Sequence, residues 1–254
     1  MPFVSIIPHI NFQEGQRKMK AFLLAAGLGT RLRPLTLTLP KCLVPIHDKP
    51  LLQLWAELFN SHGIHDVMIN THYLREPVAE FLTKYNSSQS GVTFHETYEP
   101  TLKGSGGTVR DNRDFVDGEE DFMIAYADNL TDVNLTDFQD FHRNICVPRG
   151  GVLSMALFRA NHPEQCGIAT LDDGMRITEF TEKPKSPKSN LANAGIYIAS
   201  TKIFDIFPDK SPLDFGNDIL PLLTGKMYGH EITGYLIDIG TPENYSKAQN
   251  EWRH

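Results

Sequence analysis

Apolar residues fall into two periods along this chain. Through the first half, short runs of strand length alternate with longer stretches whose apolar positions recur about every three to four residues. That alternation predicts an α/β sheet built from crossover units. Ala21–Ala25 reads as the first strand. Leu51–His62 has apolar residues at helical spacing and stops at Gly63; Val67–Thr71 reads as a strand, Pro77–Tyr85 as a helix and Val92–Glu96 as a strand. A glycine-rich loop, Lys103 to Gly107, leads into a helix through Val109–Phe115 and a strand, Phe122–Ala125, that runs into Asp128-Asn129. The second half is richer in strands: Val152–Phe158, Ile168–Leu171, Ile177–Glu182 and Gly195–Ala199, with helices near Thr201–Phe207 and Asn217–Leu223. It reads as an insertion or lid folded against the first half. Tyr235–Ile239 is the last strand and Pro242–Trp252 a closing helix, with Thr241 as its N-cap and Pro242 at its first helical position. Residues 1–18, which contain Pro8, Asn11 and Glu14 and follow neither period, read as a loose extension before one domain spanning residues 19–254.

Chemistry concentrates where the first strand stops. Phe22-Leu-Leu-Ala-Ala-Gly-Leu-Gly-Thr-Arg-Leu-Arg-Pro-Leu-Thr-Leu-Thr-Leu-Pro-Lys-Cys-Leu-Val-Pro45 is an apolar run, a glycine turn and then the cations Arg31, Arg33 and Lys41. Glycines at a strand end expose backbone N–H groups, which with clustered cations make a cradle for several negative charges. Read alone, such glycines could serve turn geometry only and the cations could be solvated. Two familiar phosphate motifs do not fit. A P-loop closes on Gly-Lys-Ser/Thr, whereas Lys41 lies between Pro40 and Cys42; the dinucleotide fingerprint wants a third glycine where Leu32 stands. In open α/β sheets ligands gather at the carboxyl ends of strands, so the glycine turn and Asp128 should face one another.

Composition narrows the partners. The formal charge of −7 over 254 residues excludes a general nucleic-acid binder, whose basic surface must neutralise phosphates. Any anion site is therefore local. Three cysteines, Cys42, Cys146 and Cys166, lack C-x-x-C spacing and point to free thiols in a reducing compartment, hence the cytoplasm. No apolar run approaches the roughly 18 residues needed to cross a bilayer, and residues 1–18 lack the parts of a signal peptide. His47, His62, His65, His72, His95 and His142 form no metal-binding spacing, and no tandem hexapeptide repeat or low-complexity tract marks another module.

Gly27, Gly29, Thr30, Arg31, Leu32, Pro34, Thr36, Pro40, Lys41, Leu43 and Pro45 fall in register with the signature G-x-G-T-R-(L/M)-x-P-x-T…P-K-x-L-x-P. In this the chain resembles the sugar-1-phosphate nucleotidyltransferases, or NDP-sugar pyrophosphorylases, from Met19 onward. The resemblance implies a Rossmann-like, GT-A-type fold: a mixed, mainly parallel sheet flanked by helices, with a β-rich sugar-binding insertion. It implies Mg²⁺ as cofactor, an NTP and a sugar-1-phosphate as substrates, and a homo-oligomer as one possible assembly. Nucleotide-binding positions carried over are Leu24, Ala25, Ala26, Gly27, Gly29, Thr30, Arg31, Lys41, Gly104 and Ser105, the last two from Leu102-Lys-Gly-Ser-Gly-Gly-Thr108, where Lys103 departs from the family's Leu-Gly-Thr pattern.

Ala125-Tyr-Ala-Asp-Asn-Leu130 resembles the family's G-D element and makes Asp128 a Mg²⁺ ligand; alone it would read as a turn former, and Ala127 stands where the family has Gly, its methyl group expected to narrow the backbone's approach to the sugar or nucleotide. Leu236-Ile-Asp-Ile-Gly-Thr-Pro242 gives Asp238 as the second ligand, its plainer role being to cap the last helix. Phe180-Thr-Glu-Lys-Pro184 gives Glu182 to the sugar and Lys183 to its phosphate, where a solvated edge charge is the plainer reading. Asn193-Ala-Gly-Ile-Tyr197 makes Asn193 a donor to sugar hydroxyls or a simple turn residue. Arg31, Lys41, Asp128 and Lys183 are the catalytic candidates. A sugar-1-phosphate has a second pKa of about 6, so it arrives as an anionic nucleophile and needs no general base. GTP with mannose- or heptose-1-phosphate suits the motifs best. Thymidylyl-, uridylyl- or cytidylyltransferases with a glucose-1-phosphate or phosphocholine acceptor, and a catalytically silent regulatory subunit, stay open as alternatives.

Overall fold

Alternate side chains of the first strand enter two different apolar layers, and the architecture follows from that. In the computed structural model, which describes residues 19–88 and 90–253, the expected loose extension of residues 1–18 lies outside the described residues. Strand β1 (Lys20–Leu24) is followed by a small hairpin, β2 (Pro45–Ile46) and β3 (Lys49–Pro50), then α1 (Leu51–Ser61), β4 (Asp66–Thr71), α2 (Arg75–Ser87) and β5 (Thr93–Tyr98). Next come α3 (Ser105–Asp111), β6 (Asp121–Tyr126), β7 (Asn129–Thr131) and α4 (Leu135–Phe141). The second half adds β8 (Leu153–Arg159), β9 (Gly167–Leu171), β10 (Ile177–Glu182), β11 (Leu191–Ser200), β12 (Met227–Glu231), β13 (Leu236–Asp238) and α5 (Pro242–Glu251). Ala21 and Leu23 of β1 join the layer that holds Trp55, Phe59, Val78 and Ala248 from the helices; Phe22 and Leu24 join the opposite one with Val109, Phe215 and Leu220.

A nine-stranded sheet results, in the order β10-β9-β11-β6-β1-β4-β5, with β8 along β11 and β12 along β8. The pairs β5–β4, β4–β1, β1–β6 and β12–β8 are parallel, whereas β11 runs antiparallel to β6, β8 and β9. This is the expected mixed, mainly parallel sheet with helices on its faces. The strand-rich second half is no separate lid: β11 hydrogen-bonds along β6 and so continues the same sheet.

Several local expectations shift. The glycine-rich loop is shorter than expected because α3 already begins at Ser105. Its Gly106 and Gly107 allow the backbone of Leu213 to run against the helix, where their N–H groups donate to Leu213 O at 2.8 and 3.0 Å. The helices expected near Thr201–Phe207 and Asn217–Leu223 are tight 3-10 and π turns, since Pro208, Pro212 and Pro221 interrupt any longer α-helix. Besides the hairpin strands β2 and β3, three elements escaped the periodicity. One is α4, whose buried face includes the polar Gln139. Another is β12, where Gly229 sits so close to Leu157 that a Cβ would lie 2.5 Å from it. The third is the short β7.

Candidate active site

The turn after β1 is set by one glycine. Gly29 has φ of +62°, a left-handed value that a β-carbon disfavours, and its carbonyl accepts from Thr36 Oγ1 at 2.6 Å and Leu32 N at 3.1 Å. This loop displays Gly27 and Thr30 to solvent, while Leu24 and Ala26 are almost buried. The N–H of Ala25 donates to Asn70 Oδ1 at 2.7 Å, so the protein itself takes that donor.

Lys41 comes next, from a single 3-10 turn, Lys41–Leu43, anchored by the buried Cys42 and Leu43. Burial pushes the Cys42 thiol up to about 12, so this cysteine is packing and not a nucleophile. Lys41 Nζ donates to Asp128 Oδ2 at 2.7 Å and to Asp238 Oδ1 at 2.9 Å. Arg31 Nη2 lies 3.6 Å from Asp238 Oδ2. Residues from three distant parts of the chain thus meet at one point. The cause is the ladder between β7 and β13, which pairs Asp238 with Asn129 and lets Ile239 N donate to Asp128 O at 3.0 Å. Gly240 N donates to Asp238 Oδ1 at 2.7 Å and Asn244 Nδ2 to Asp238 O at 2.8 Å, fixing the carboxylate at the root of α5. Thr241 caps that helix, accepting from Asn244 N at 3.2 Å, so Asp238 is free of the capping role.

The two carboxylates fit a hard divalent cation. Lys41 Nζ already marks a point within 3 Å of an oxygen from each, and Mg²⁺ binds through one or two carboxylates with water and phosphate oxygens as the remaining ligands. Among the described residues no group of three or more His, Cys, Asp or Glu side chains converges. The six histidines singled out in the sequence, of ten in the chain, are otherwise engaged, for example His47 with Gln249 O at 2.8 Å and His142 with Ser154 Oγ at 2.9 Å.

A buried polar network joins the glycine turn to the loop at Lys103. Glu99, with 1% of its surface exposed, accepts from Asn70 Nδ2 at 3.0 Å, from Lys103 N at 3.1 Å and from Thr108 Oγ1. Asn70 therefore holds Ala25 with its oxygen and Glu99 with its nitrogen. Gly104 takes φ of +80°, and a Cβ there would lie 2.5 Å from Leu213 O. Ser105 Oγ donates to Asp214 Oδ2 at 3.1 Å and accepts from Phe215 N at 2.8 Å. Lys103 turns toward α3, with Nζ 3.0 Å from Asp111 Oδ2. Ala127 is 1% exposed and packs in the core, so its methyl group does not narrow the ligand side as the sequence suggested.

The strands of the second half supply the other wall. Asn193 Nδ2 donates to Tyr197 Oη at 2.6 Å and Gly195 N to Asn193 Oδ1 at 2.9 Å, across an irregularity in β11 where pairing with β8 shifts between Asn193 and Tyr197. Gly195, at φ +69°, admits the Tyr126 ring, which a Cβ would meet at 2.8 Å. Burial, then the charges of Asp214, Asp128 and Glu182, push the Tyr126 hydroxyl far up, so this phenol stays neutral between the two walls. Glu182 is half-buried; burial and the charge of Asp214 raise its pKa against the opposing pull of Lys183. Lys183 adopts φ of +47°, a left-handed backbone for a non-glycine residue, and points a 66% exposed side chain with Nζ 3.9 Å from Glu182 Oε1.

The order of these parts along the chain matches a known family, described as nucleotidyl transferase, over residues 20–254. The chain belongs to the nucleotidyl transferase family. It is 30% identical to mannose-1-phosphate guanylyltransferase 1 of Arabidopsis thaliana over 233 residues, which cover 89% of this chain and 63% of that protein. It is 29% identical to UTP–glucose-1-phosphate uridylyltransferase of Synechocystis sp. over 249 residues, 91% of this chain and 62% of that one. This nucleotidyl transferase chain thus spans less than two thirds of the length of these relatives. Among solved structures it superposes with a TM-score of 0.81 and 26% identity on a Bacillus anthracis protein, provisionally named a glucose-1-phosphate thymidylyltransferase and in complex with a sucrose, covering 93% of this chain and 97% of that one. Among the described residues no helix is long and apolar enough to cross a membrane.

Sequence reading of the family motifs missed Asn70, Glu99 and Asp214. The signal for the first two was present: each is a polar residue just where an apolar strand delivers its carboxyl end. Asp214 lies in a turn-rich stretch with no period to mark it.

Proposed function

We propose that this protein transfers a nucleotidyl group from an NTP to a sugar-1-phosphate, releasing pyrophosphate, with Mg²⁺ as cofactor. The observation that carries the reading is the meeting of Arg31, Lys41, Asp128 and Asp238 at the carboxyl ends of the central strands. In-line transfer between two phosphate-bearing substrates needs alignment and charge stabilisation more than proton transfer. Gly27, Thr30 and Arg31 face the triphosphate from the turn, and Lys41 stabilises the leaving phosphates. Asp128 and Asp238 would hold the Mg²⁺, which when bound would supply positive charge against that developing on the phosphates. Lys183, the unburied cation of the opposite wall, takes the acceptor phosphate, with Glu182 and Asn193 toward the sugar hydroxyls. Gly104 and Ser105 place the loop beside the base.

The finer reading is GTP with mannose- or heptose-1-phosphate, supported by the identity to a mannose-1-phosphate guanylyltransferase. A second reading, UTP or dTTP with glucose-1-phosphate, is favoured by the uridylyltransferase relative and the fold likeness to the B. anthracis protein. Incubation with Mg²⁺, each NTP in turn and a panel of sugar-1-phosphates, with pyrophosphate release as readout, tests both. Release with no pairing would overturn the first statement; release only with UTP or dTTP would overturn the finer one.

A further inference from the structure

In the free protein a side chain takes the position between Asp128 and Asp238. Lys41 Nζ sits 2.7 and 2.9 Å from their nearer oxygens with 10% of its side chain exposed. With Arg31 beside Asp238, two positive and two negative groups balance. An ammonium is a strongly hydrated point charge, and carboxylates replace its water here. The cluster is also tight. A single Cβ added at Gly240 would lie 2.6 Å from Lys41 Nζ, 2.8 Å from Asp238 Oδ1 and 3.0 Å from Arg31 Nη2. An ion that claims both carboxylates has no place next to the lysine; it has the lysine's own place.

We infer that Lys41 is the resident counter-cation of the aspartate pair, and that a divalent ion takes the pair by displacing it, the freed ammonium then turning to the triphosphate. This deepens the nucleotidyltransferase reading and rests on it. Once an ion satisfies Asp128 and Asp238, Lys41 and Arg31 lose their carboxylate partners and only an arriving anion restores the balance. Ion binding by the free protein is therefore weak, and ion and triphosphate favour each other. The exchange is a side-chain movement, because Cys42 and Leu43 hold the Lys41 backbone in the core.

Mn²⁺ serves as the probe, followed by calorimetry and by its paramagnetic resonance, on the whole chain without nucleotide. Lys41→Gln and Lys41→Met should bind Mn²⁺ about tenfold or more tightly than wild type, within the range of ordinary coupling between ligands. Lys41→Arg, which keeps the charge, should not. At a Mn²⁺ concentration well below that which saturates wild type, Mn²⁺ should raise the Tm of the two neutral variants and leave that of wild type in place. Asp128→Asn added to Lys41→Gln should remove the gain, locating the ion at the pair. In wild type, saturating Mn²⁺ should increase acetylation of Lys41 by a lysine reagent, read by mass spectrometry, which needs no variant to fold. Equal Mn²⁺ affinity in wild type and the neutral variants, or Lys41 labelling unchanged by Mn²⁺, would overturn the exchange. Pyrophosphate release is a separate readout: its absence with every NTP sinks the functional reading while leaving the exchange standing, and its presence with no exchange sinks only the latter.

Discussion

The two walls of the site hold their charges in opposite ways. On the wall proposed for the nucleotide the central charges are paired and positioned from several directions: Lys41 between two aspartates, Asp238 fixed by Gly240 N and Asn244, Asp128 set by the β7–β13 ladder. On the acceptor side Lys183 stands 66% exposed on a left-handed backbone, and its nearest carboxylate, Glu182, is 3.9 Å away. The first wall is preorganised by ion pairs and ready to exchange partners. The second places its cation through backbone conformation and holds it only by a long, exposed ion pair to Glu182. The difference matches their proposed tasks: a triphosphate with its metal brings charge enough to break up a neutral cluster, whereas a single sugar phosphate brings less and is better met by a cation that is only loosely held.

Removing the pairing on the first wall should have the largest effect. Asp128→Ala should lower turnover on the order of 100-fold or more, as expected when a preorganised charge at the reacting phosphate is lost. Asp128→Asn should keep the fold and much of the nucleotide affinity, and excess chelator should mimic it in wild type. Full turnover by wild type in excess chelator would break the assignment. Lys41 and Lys183 sharpen the comparison next. Lys41→Ala should weaken NTP binding and slow chemistry, with a loss of about 3 kcal/mol in kcat/KM. Lys183→Ala should raise KM for the sugar phosphate and lower kcat while NTP binding measured alone stays near wild type. Calorimetry of each variant with NTP decides it: equal loss in both, or none in either, means the walls are not divided as proposed.

A smaller effect is expected behind the first wall. Glu99→Ala removes the acceptor of Lys103 N and one of the two acceptors of Asn70 Nδ2 and of Thr108 Oγ1, in a site 1% exposed. Unsatisfied buried donors cost about 1–3 kcal/mol, so urea denaturation should show a loss in that range. Because the network ties Ala25 to the Lys103 loop, KM for NTP should rise severalfold with little change in KM for the acceptor. Glu99→Gln, which keeps one acceptor oxygen, should recover part of both. A rise in the two KM values together would mean Glu99 serves overall stability and not the nucleotide wall.

Much of this was legible in the sequence because its signals are local. The first strand, α1, β4, the glycine turn and Thr241 as a cap announce themselves within a few residues, and the alternation of strands and helices marks the first half as crossover units. What the periods could not give depends on distant contacts. Asp128 and Asp238 are brought together by β7, a strand too short to carry a pattern, and family motifs alone placed them at one site. The glycines at 104 and 106 read as parts of a glycine-rich loop, yet Leu213 and Ile219, far along the chain, are what a Cβ at those positions would strike. Ser105, expected only beside the base, is bonded to Asp214 and Phe215 for the same reason. Ala127 looked like an obstruction until its burial in the core showed where its methyl group points.

The smallest effect distinguishes the walls by pH. Burial and the charge of Asp214 raise the Glu182 pKa above its ordinary value, with Lys183 pulling the other way. The folded protein therefore keeps the Glu182 proton to a higher pH than the unfolded chain does. Between the ordinary glutamate value and the raised one, the native state binds more protons than the unfolded state, so this group's contribution to stability is fully present below that window and falls as pH rises through it. Glu96, on the strand at the other end of the sheet order, behaves in the opposite sense: burial would raise it, but hydrogen bonds from Arg75 and Thr71 prevail and lower its pKa, so its contribution is lost on acidification. A bare stability profile mixes the two, and the difference between wild type and Glu182→Gln separates them. The Gln variant, having no proton to lose, should gain stability relative to wild type as pH is raised through the window, seen as a small relative rise in Tm. Parallel Tm curves across that range would mean that Glu182 ionises as freely as a surface carboxylate, and that the acceptor wall is as wet as its exposed lysine.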